Sequence, residues 1–415
     1  MLSVKEAQNK VLECSIRIKA VKVPLLDSLG LILAEDVISK DDIPVYNNSA
    51  MDGYVVRAED IKVADRSCPV RLILLAEDIP AGKVPTVKIS PGYCMLIMTG
   101  APIPENCNAV VMKEDTEKDG ESILVFKECA EGENIRYRGE DIKKGDKVLR
   151  KGEKIFPADI GVMASLGESE VLVYHPPVVG IISTGDELLE IDKELEIGKV
   201  RDSNSYSLSA QLKEIGIKYI RYGIVKDEKK ILEEKIREAL SECDILLLSG
   251  GVSVGDYDFV KEILIGIGAE LIFWRVNQKP GKPLVFLKYK DGFIFGLPGN
   301  PVSVMVCFEM YVRPLIKKII GDDNLFRPSV RARAYHDFKN KRGRTNFVRV
   351  MLEKKDNEYF FKSTGMQGSG ILTSMAKADG IAVFPEDAGD IKKDSEIEVF
   401  CLKNRLNHKV KIHLV

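Results

Sequence analysis

From Val178 to Ile319 the chain alternates short apolar runs with amphipathic stretches. Val178-Val179-Gly180-Ile181-Ile182-Ser183 has the continuous apolar pattern of a buried strand. The periodicity then predicts a helix over 203–215 with Ser203 or Asp202 as N-cap, a strand over 217–225, a helix over 228–242 and a strand over 244–248. A helix over 257–267, strands over 270–276, 284–288 and 292–296, and a helix over 301–319 complete the segment. Helices between apolar strands predict a doubly wound, mainly parallel α/β sheet covered on both faces. Ligands in such sheets bind at the carboxyl ends of the strands. The loops at 183–187, 249–256 and 297–301 all follow predicted strands, so chemistry is sought there first.

The flanking regions have a different texture. Residues 46–144 hold short β-type runs between turn signals: RLILL at 71–75, YCMLIM at 93–98, AVVM at 109–112 and SILVF at 122–126. Residues 1–45 begin with an amphipathic helical pattern, and 145–176 carry a strand, a helix and a strand. Beyond 322 the chain is β-rich with glycine turns. The expected fold is multidomain α/β plus β. An N-terminal α+β linker domain is expected from 1–45 and 145–176, and an inserted small β-rich domain from 46–144. The central α/β domain spans 177–322, and a C-terminal β-barrel-like domain spans 323–415.

With 415 residues the chain exceeds what one core usually serves, in keeping with several domains. Hydrophobic residues make up 45% and charged residues 30%, as in an ordinary soluble globular protein. A net charge of −2 argues against a general nucleic-acid surface and still allows a local basic pocket. No apolar run approaches a membrane span, and the first residues lack the apolar region of a signal peptide. The eight cysteines are scattered without a C-x-x-C pair, which predicts reduced thiols and a cytoplasmic location. The four histidines show no metal-ligand spacing.

Ser249-Gly250-Gly251-Val252-Ser253-Val254-Gly255 leaves a buried strand and enters a helical pattern. Backbone N–H groups and hydroxyls in such a loop can approach an anion closely; the alternative is a tight strand-to-helix turn. Asp256 and Asp258 follow, where they can hold a divalent cation against phosphates, or serve only as an N-cap and a first-turn acid. Ser183-Thr184-Gly185-Asp186-Glu187 gathers hydroxyls, a glycine and two carboxylates at one strand end, suited to a ribose, a phosphate or a metal, or to a plain turn. Lys279-Pro280-Gly281-Lys282-Pro283 presents two ammonium groups from a restricted loop between apolar runs. That is the make-up of an oxyanion clamp, which Arg275 would extend, although charge pairs are commonly solvated surface. Leu297-Pro298-Gly299-Asn300-Pro301 ends a strand and opens a helix with proline in its first turn. In the β-rich domain, loops 47–54, 98–104 and 134–141 are each unremarkable and together suggest a shared surface. Arg344, Arg349 and Ser369 are single polar residues in the C-terminal domain, on a strand or in turns.

The order of these motifs resembles the MoeA-type molybdopterin molybdenumtransferases and looks like the E domain of gephyrin and its plant counterpart. The stretches concerned are NSAMDGY at 48–54, MTGAPIPENCNAVVM at 98–112, NIRYRGEDI at 134–142, STGDEL at 183–188, SGGVSVGDYD at 249–258, KPGKP at 279–283 and GLPGNPVS at 296–303. They run in the family's order over nearly the whole chain. Asn106 replaces the family's glycine, Arg275 stands where members carry lysine, and the match fades after residue 386.

The resemblance implies a homodimer of four-domain subunits. The α/β domain would bind the molybdopterin-linked nucleotide, and the β-rich domain of the other subunit would complete the site. The implied reaction inserts molybdate, or the nearly equal-sized tungstate, into adenylylated molybdopterin and releases AMP with the help of Mg2+. Carried over residue by residue, the catalytic acids are Asp52, Asp141, Glu187, Asp227 and Asp258. Substrate-binding residues are Thr99, Thr184, Ser249, Gly250, Gly251, Ser253, Gly255, Pro298 and Asn300. The oxyanion falls to Arg275, Lys279, Lys282, Arg349 and Ser369, and the metal to Glu187, Asp256 and Asp258. Asp52, Thr99 and Asp141 would reach in from the other subunit; Asp227 could instead cap the helix that follows it. An upstream molybdopterin-adenylylating protein would supply the nucleotide, with no nucleic-acid or membrane partner. Two other readings use the same residues. One is an enzyme that adenylylates molybdopterin or cleaves other nucleotide pyrophosphates, which the added NSAMDGY, NIRYRGED and C-terminal segments disfavour. The other is a non-catalytic scaffold, which the intact acids and lysines disfavour.

Overall fold

A computed structural model describes residues 1–14, 19–86, 88–251 and 259–403. Its chain forms two compact units, Met1–Val23 with Gly30–Ala34 and Leu172–Val415, and Pro24–Leu29 with Glu35–Val171. No helix among the described residues is long and apolar enough to cross a membrane.

The first unit contains the α/β sheet. Its elements are β1 (Val179–Thr184), α1 (Asn204–Glu214), β2 (Tyr219–Val225), α2 (Lys229–Glu242), β3 (Ile245–Ser249), α3 (Phe259–Gly266), β4 (Glu270–Trp274), β5 (Val285–Tyr289) and β6 (Gly292–Leu297). The strand order is β2-β1-β3-β6-β5-β4. The first four strands are parallel, and β5 runs antiparallel to both of its neighbours. The apolar run of β3 shows why a central strand loses its alternation. Ile245 and Leu247 enter the core on one face of the sheet, Leu246 and Leu248 the core on the other, and all four are fully buried. The amphipathic N-terminal helix Val4–Glu13 opens with a Ser3–Glu6 capping box and packs Ala7 and Val11 into the same core as β3.

The helix predicted over 301–319 is interrupted. Pro301–Cys307 and Arg313–Ile319 are α-helical, and Phe308–Val312 forms a π-type turn in which the Arg313 N–H reaches the Phe308 carbonyl. Pro314 has no N–H to offer the Met310 carbonyl, and the Gln8 amide donates to it instead at 3.2 Å.

The C-terminal region is a closed five-stranded barrel of β7 (Ser329–Ala334), β8 (Thr345–Lys355), β9 (Glu358–Ser363), β10 (Gly380–Phe384) and β11 (Glu396–Cys401). β8 closes the ring by pairing with both β9 and β10. The two-residue strand Gln278–Lys279 adds to its edge, parallel to Thr345–Asn346.

The second unit holds a six-stranded sheet in the order Ala109–Met112, Gly53–Val56, Tyr93–Ile97, Val70–Leu74, Ser122–Val125 and Thr116–Asp119. Four of these are the runs read from the sequence; two are additions. Gly53–Val56 is buried throughout and paired on both sides, and a Cβ on Gly53 would stand 2.0 Å from the Val111 carbonyl oxygen. Its NSAMDGY context reads as a polar turn because the strand starts inside it. Thr116–Asp119 is an all-polar edge strand with no hydrophobic pattern to betray it.

Candidate functional site

Parallel register sets the ends of β1, β3 and β6 side by side: Ser183 stands opposite Ser249, and Ser249 opposite Leu297. The Gly250 N–H donates to the Leu297 carbonyl at 3.2 Å. Gly250 has φ +96°, and a Cβ there would stand 2.2 Å from the Thr184 carbonyl oxygen; one on Gly251 would stand 2.6 Å from the Val260 side chain. Packing against β1 at Gly250 and against α3 at Gly251 therefore demands both glycines before any ligand is considered.

Asn204, at the start of α1, joins two of the loops. Its amide donates to Ser249 Oγ at 2.9 Å and to the Gly299 carbonyl at 2.8 Å. Asp202 rather than Ser203 makes the capping bonds of α1, its Oδ1 accepting from the Asn204 and Ser205 N–H groups at 3.0 Å each. On the other side, the buried Thr184 hydroxyl donates to the Asp227 carboxylate. The Asp227 N–H donates to Asp186 Oδ1 at 3.3 Å. Asp227 thus faces β1, and α2 begins after it with Glu228 at the N-cap position. Asp186 and Glu187 are exposed, with the Glu187 carboxylate folded back beside Gly185.

The KPGKP loop lies on the long helix. The Gln278 side chain is fully buried; its amide donates to the Gly281 carbonyl at 3.0 Å and its Oε1 accepts from the Tyr311 hydroxyl. Gly281 has φ +89°, and a Cβ there would stand 2.6 Å from Cys307 Sγ. Above this floor the two lysines part. Lys279 is exposed and lines a cavity of about 490 Å³ with Lys339, Lys341, Arg342, Arg344 and Asp390; Lys282 is half-buried and does not line it. Arg275, half-buried, takes the left-handed conformation with φ 72°.

The barrel reaches the same region through its 365–371 loop. The Ser369 carbonyl accepts from the Val302 N–H at 3.1 Å, two residues from Asn300. Pro298 is buried and Asn300 is exposed. Arg349 is 1% exposed, and its guanidinium donates to Ser374 Oγ and to the Phe347 and Gly368 carbonyls, each at 3.2 Å. It has no carboxylate partner among the described residues, and burial pulls its pKa down to about 10.

In the second unit, backbone bonds hold the three polar loops together. The Ser49 N–H donates to the Ala101 carbonyl at 3.0 Å, Gly100 N–H to Ser49 at 2.8 Å, and Ala50 N–H to Asn134 at 2.9 Å. The Arg138 N–H donates to Asn47 Oδ1 at 2.8 Å. Asp52 Oδ1 accepts both the N–H and the hydroxyl of Thr99 at 2.7 Å, and these bonds, the backbone one first, hold its carboxyl below the usual range. Asp141 is exposed, donates its N–H to the Ile43 carbonyl at 3.1 Å, and makes no side-chain bond to Asp52 or Thr99.

Residues 2–167 match the family described as MoeA N-terminal region (domain I and II), 180–318 the "Probable molybdopterin binding domain", and 331–402 the MoeA C-terminal region (domain IV). A protein of Staphylococcus epidermidis named molybdopterin molybdenumtransferase is 35% identical over 399 residues, which cover 96% of this chain and 95% of that one. The chain belongs to the MoeA-type molybdopterin molybdenumtransferase family. A member from a Nostoc species is 38% identical over 368 residues, 88% of this chain and 84% of its own. A crystal structure of a molybdopterin biosynthesis MoeA protein from Pyrococcus horikoshii superposes with a TM-score of 0.83 at 31% identity, over 97% of this chain and 99% of the other.

Within the molybdenumtransferase family fold, reading the sequence missed Asn204, which bridges two strand-end loops, and Gln278, which supports a third. Asp202-Ser203-Asn204 after a glycine-poor, charged stretch carried no signal beyond a helix cap. Gln278 precedes KPGKP, where a polar residue between apolar runs and a rigid loop hints at a buried amide. Ser253, Gly255, Asp256 and Asp258 lie outside the described residues.

Proposed function

We propose that this protein inserts molybdate, or tungstate, into adenylylated molybdopterin and releases AMP. Membership of the family makes it an enzyme of molybdenum cofactor biosynthesis. The observation that carries the finer reading is the convergence of Ser249–Gly251, Thr184–Asp227 and Gly299–Asn300 at adjacent strand ends, where open α/β sheets bind nucleotides.

In this reading the Gly251 backbone and the Ser249 hydroxyl cradle a phosphate, while Gly250, its N–H held by the Leu297 carbonyl, allows the close approach. Thr184 has committed its proton to Asp227, so toward a ligand its oxygen can only accept. Asp227 then stands beside the phosphoanhydride as the group that positions water. Lys282, Lys279, Arg275, Arg349 and Ser369 serve the oxyanion, and Pro298 and Asn300 shape the nucleotide wall. The Arg349 charge sits among neutral oxygens only, which leaves its field available to a dianion.

The metal candidates are carboxylates, hard oxygen donors suited to Mg2+. Among the described residues no three such side chains converge, and Glu187 alone of the proposed set is described. Glu187 would hold Mg2+ together with Asp256 and Asp258, and the ion would neutralise phosphate charge.

Asp52, Thr99 and Asp141 belong to a second polar cluster, and in a homodimer the copy from the other subunit would complete the site. The division into four domains per subunit, the cytoplasmic setting and the supply of nucleotide by a molybdopterin-adenylylating protein belong to the same proposal. The test is AMP release from adenylylated molybdopterin by the purified protein with Mg2+, titrating molybdate and tungstate separately. Release that depends on one oxyanion is expected; tight nucleotide binding with no release on either would point to a carrier or scaffold.

A further inference from the structure

We propose that Gln278 and Tyr311 are positioning residues that set the lysines of the KPGKP loop, acting from beneath it. This rests on the oxyanion reading of those lysines. Neither side chain is exposed, so neither meets a ligand directly.

The π-type turn at Phe308–Val312 is the unusual feature. Such turns are rare, occur as single turns inside α-helices and are frequent at functional sites. Here two buried polar groups are placed. Tyr311 donates its hydroxyl to Gln278 Oε1, and the opposite end of that amide holds the Gly281 carbonyl, between Lys279 and Lys282 and next to the latter. Glu309 receives the Gln211 amide at 2.8 Å and Arg327 Nε at 2.7 Å. Gln211 belongs to α1, whose first residue holds Ser249 and Gly299. One turn of helix therefore reaches the lysine loop on one side and, through α1, the nucleotide loops on the other.

The loop has few other supports. Gly281 is pressed against Cys307, whose thiol accepts from the Gln278 amide at 3.6 Å and donates to the Gly281 carbonyl at 3.8 Å; burial raises the thiol to about 12 and keeps it protonated. The Lys282 carbonyl accepts the Val276 N–H at 3.1 Å, and Gln278–Lys279 pairs with the barrel edge. Removing the Tyr311 hydroxyl would leave a buried amide oxygen without a donor, and the amide would turn to seek one. Gly281 would lose its short bond in that motion and keep only the long one from the Cys307 thiol.

The test is Tyr311→Phe in the full-length protein. Three quantities are read: kcat and KM for the oxyanion in AMP release, and the rates at which Lys279 and Lys282 are acylated by an amine-reactive ester, followed by peptide mass spectrometry. KM is expected to rise about tenfold with kcat within about twofold, matching the loss of one buried hydrogen bond. Acylation of one or both lysines should accelerate. Gln278→Leu should act in the same direction, and the double variant should be no worse than the worse single one, because both remove one shared bond. A lowered thermal midpoint with KM and acylation rates unchanged would mean that the pair only stabilises the fold, and would overturn the proposal. Lys282→Ala separates the two layers: intact oxyanion use in that variant defeats the oxyanion reading, whereas the acylation rates still report on positioning.

Discussion

The strand-end cluster of the α/β unit and the three-loop cluster of the other unit follow opposite plans. In the first, sheet register does the placing. Ser183, Ser249 and Leu297 are aligned by parallel strands whose side chains are buried on both faces, and the polar contacts at their ends are largely buried. In the second, loops hold loops: residues 47–52, 98–101 and 134–138 are tied by hydrogen bonds over a buried floor of Asn48, Ser49 and Ala101, with Asp52, Thr99 and Arg138 exposed. A site inherited from register resists single polar substitutions but breaks when a close approach is blocked. A site of mutually tied loops should tolerate bulk and yield to the loss of individual hydrogen bonds.

The most damaging change by this logic is Gly250→Val. It forces a β-branched residue to φ +96° against the Thr184 carbonyl, and should cost about 2–4 kcal/mol of stability, with nucleotide binding lost. Denaturant unfolding and nucleotide titration would show both; full binding with unchanged stability would mean that register does not govern this loop. Asp227→Asn keeps the shape but weakens the acceptor of the Thr184 proton. AMP release should fall about 100-fold, with the thermal midpoint nearly unmoved.

Arg349→Met comes next. Its guanidinium is buried without an anion, and its depressed pKa means that the charged form is penalised in the fold at every pH below about 10. The penalty is relieved only as the pH rises through that value, so at neutral pH the variant should be equally stable or up to about 2 kcal/mol more stable. Oxyanion use should nevertheless drop; unchanged use would reduce Arg349 to a barrel residue.

The smallest effect is expected from Thr99→Val. Asp52 is exposed, so the thermal midpoint should hardly move. Its folded pKa lies below the unfolded value, so the Thr99 interaction is complete above the ordinary carboxylate range and is lost only as the pH falls through the lowered value. Activity near neutral pH should fall a few-fold in the variant, and the acid limb of the wild-type pH profile should not originate at Asp52.

The α/β sheet was legible because its strands leave continuous apolar runs and its helices keep their periodicity. Both cues are local. The GYVV strand of the other unit was hidden because it is four residues long and begins inside a polar motif. Thr116–Asp119 was hidden because an edge strand exposed on both faces needs no apolar residues. The π-type turn was equally silent, since its cause, Pro314 acting on the Met310 carbonyl, is resolved by Gln8, 302 positions away. Candidate residues at strand ends could be read from glycine and hydroxyl content. The partnership of Lys279 with barrel cations, and its separation from Lys282, could not, because three-residue spacing in a loop does not fix direction.

The two-residue strand Gln278–Lys279 has a mechanical consequence. It belongs by chain connection to the α/β domain and by hydrogen bonding to the edge of the barrel. The barrel cannot swing as an independent appendage without either peeling this strand away or dragging an ammonium group with it. The same attachment is shared by the Ser369–Val302 hydrogen bond and by Phe347, Met375 and Ile381, which enter the core of the α/β sheet. The position of the Lys279 ammonium group is therefore set by the barrel as much as by the sheet from which its chain emerges.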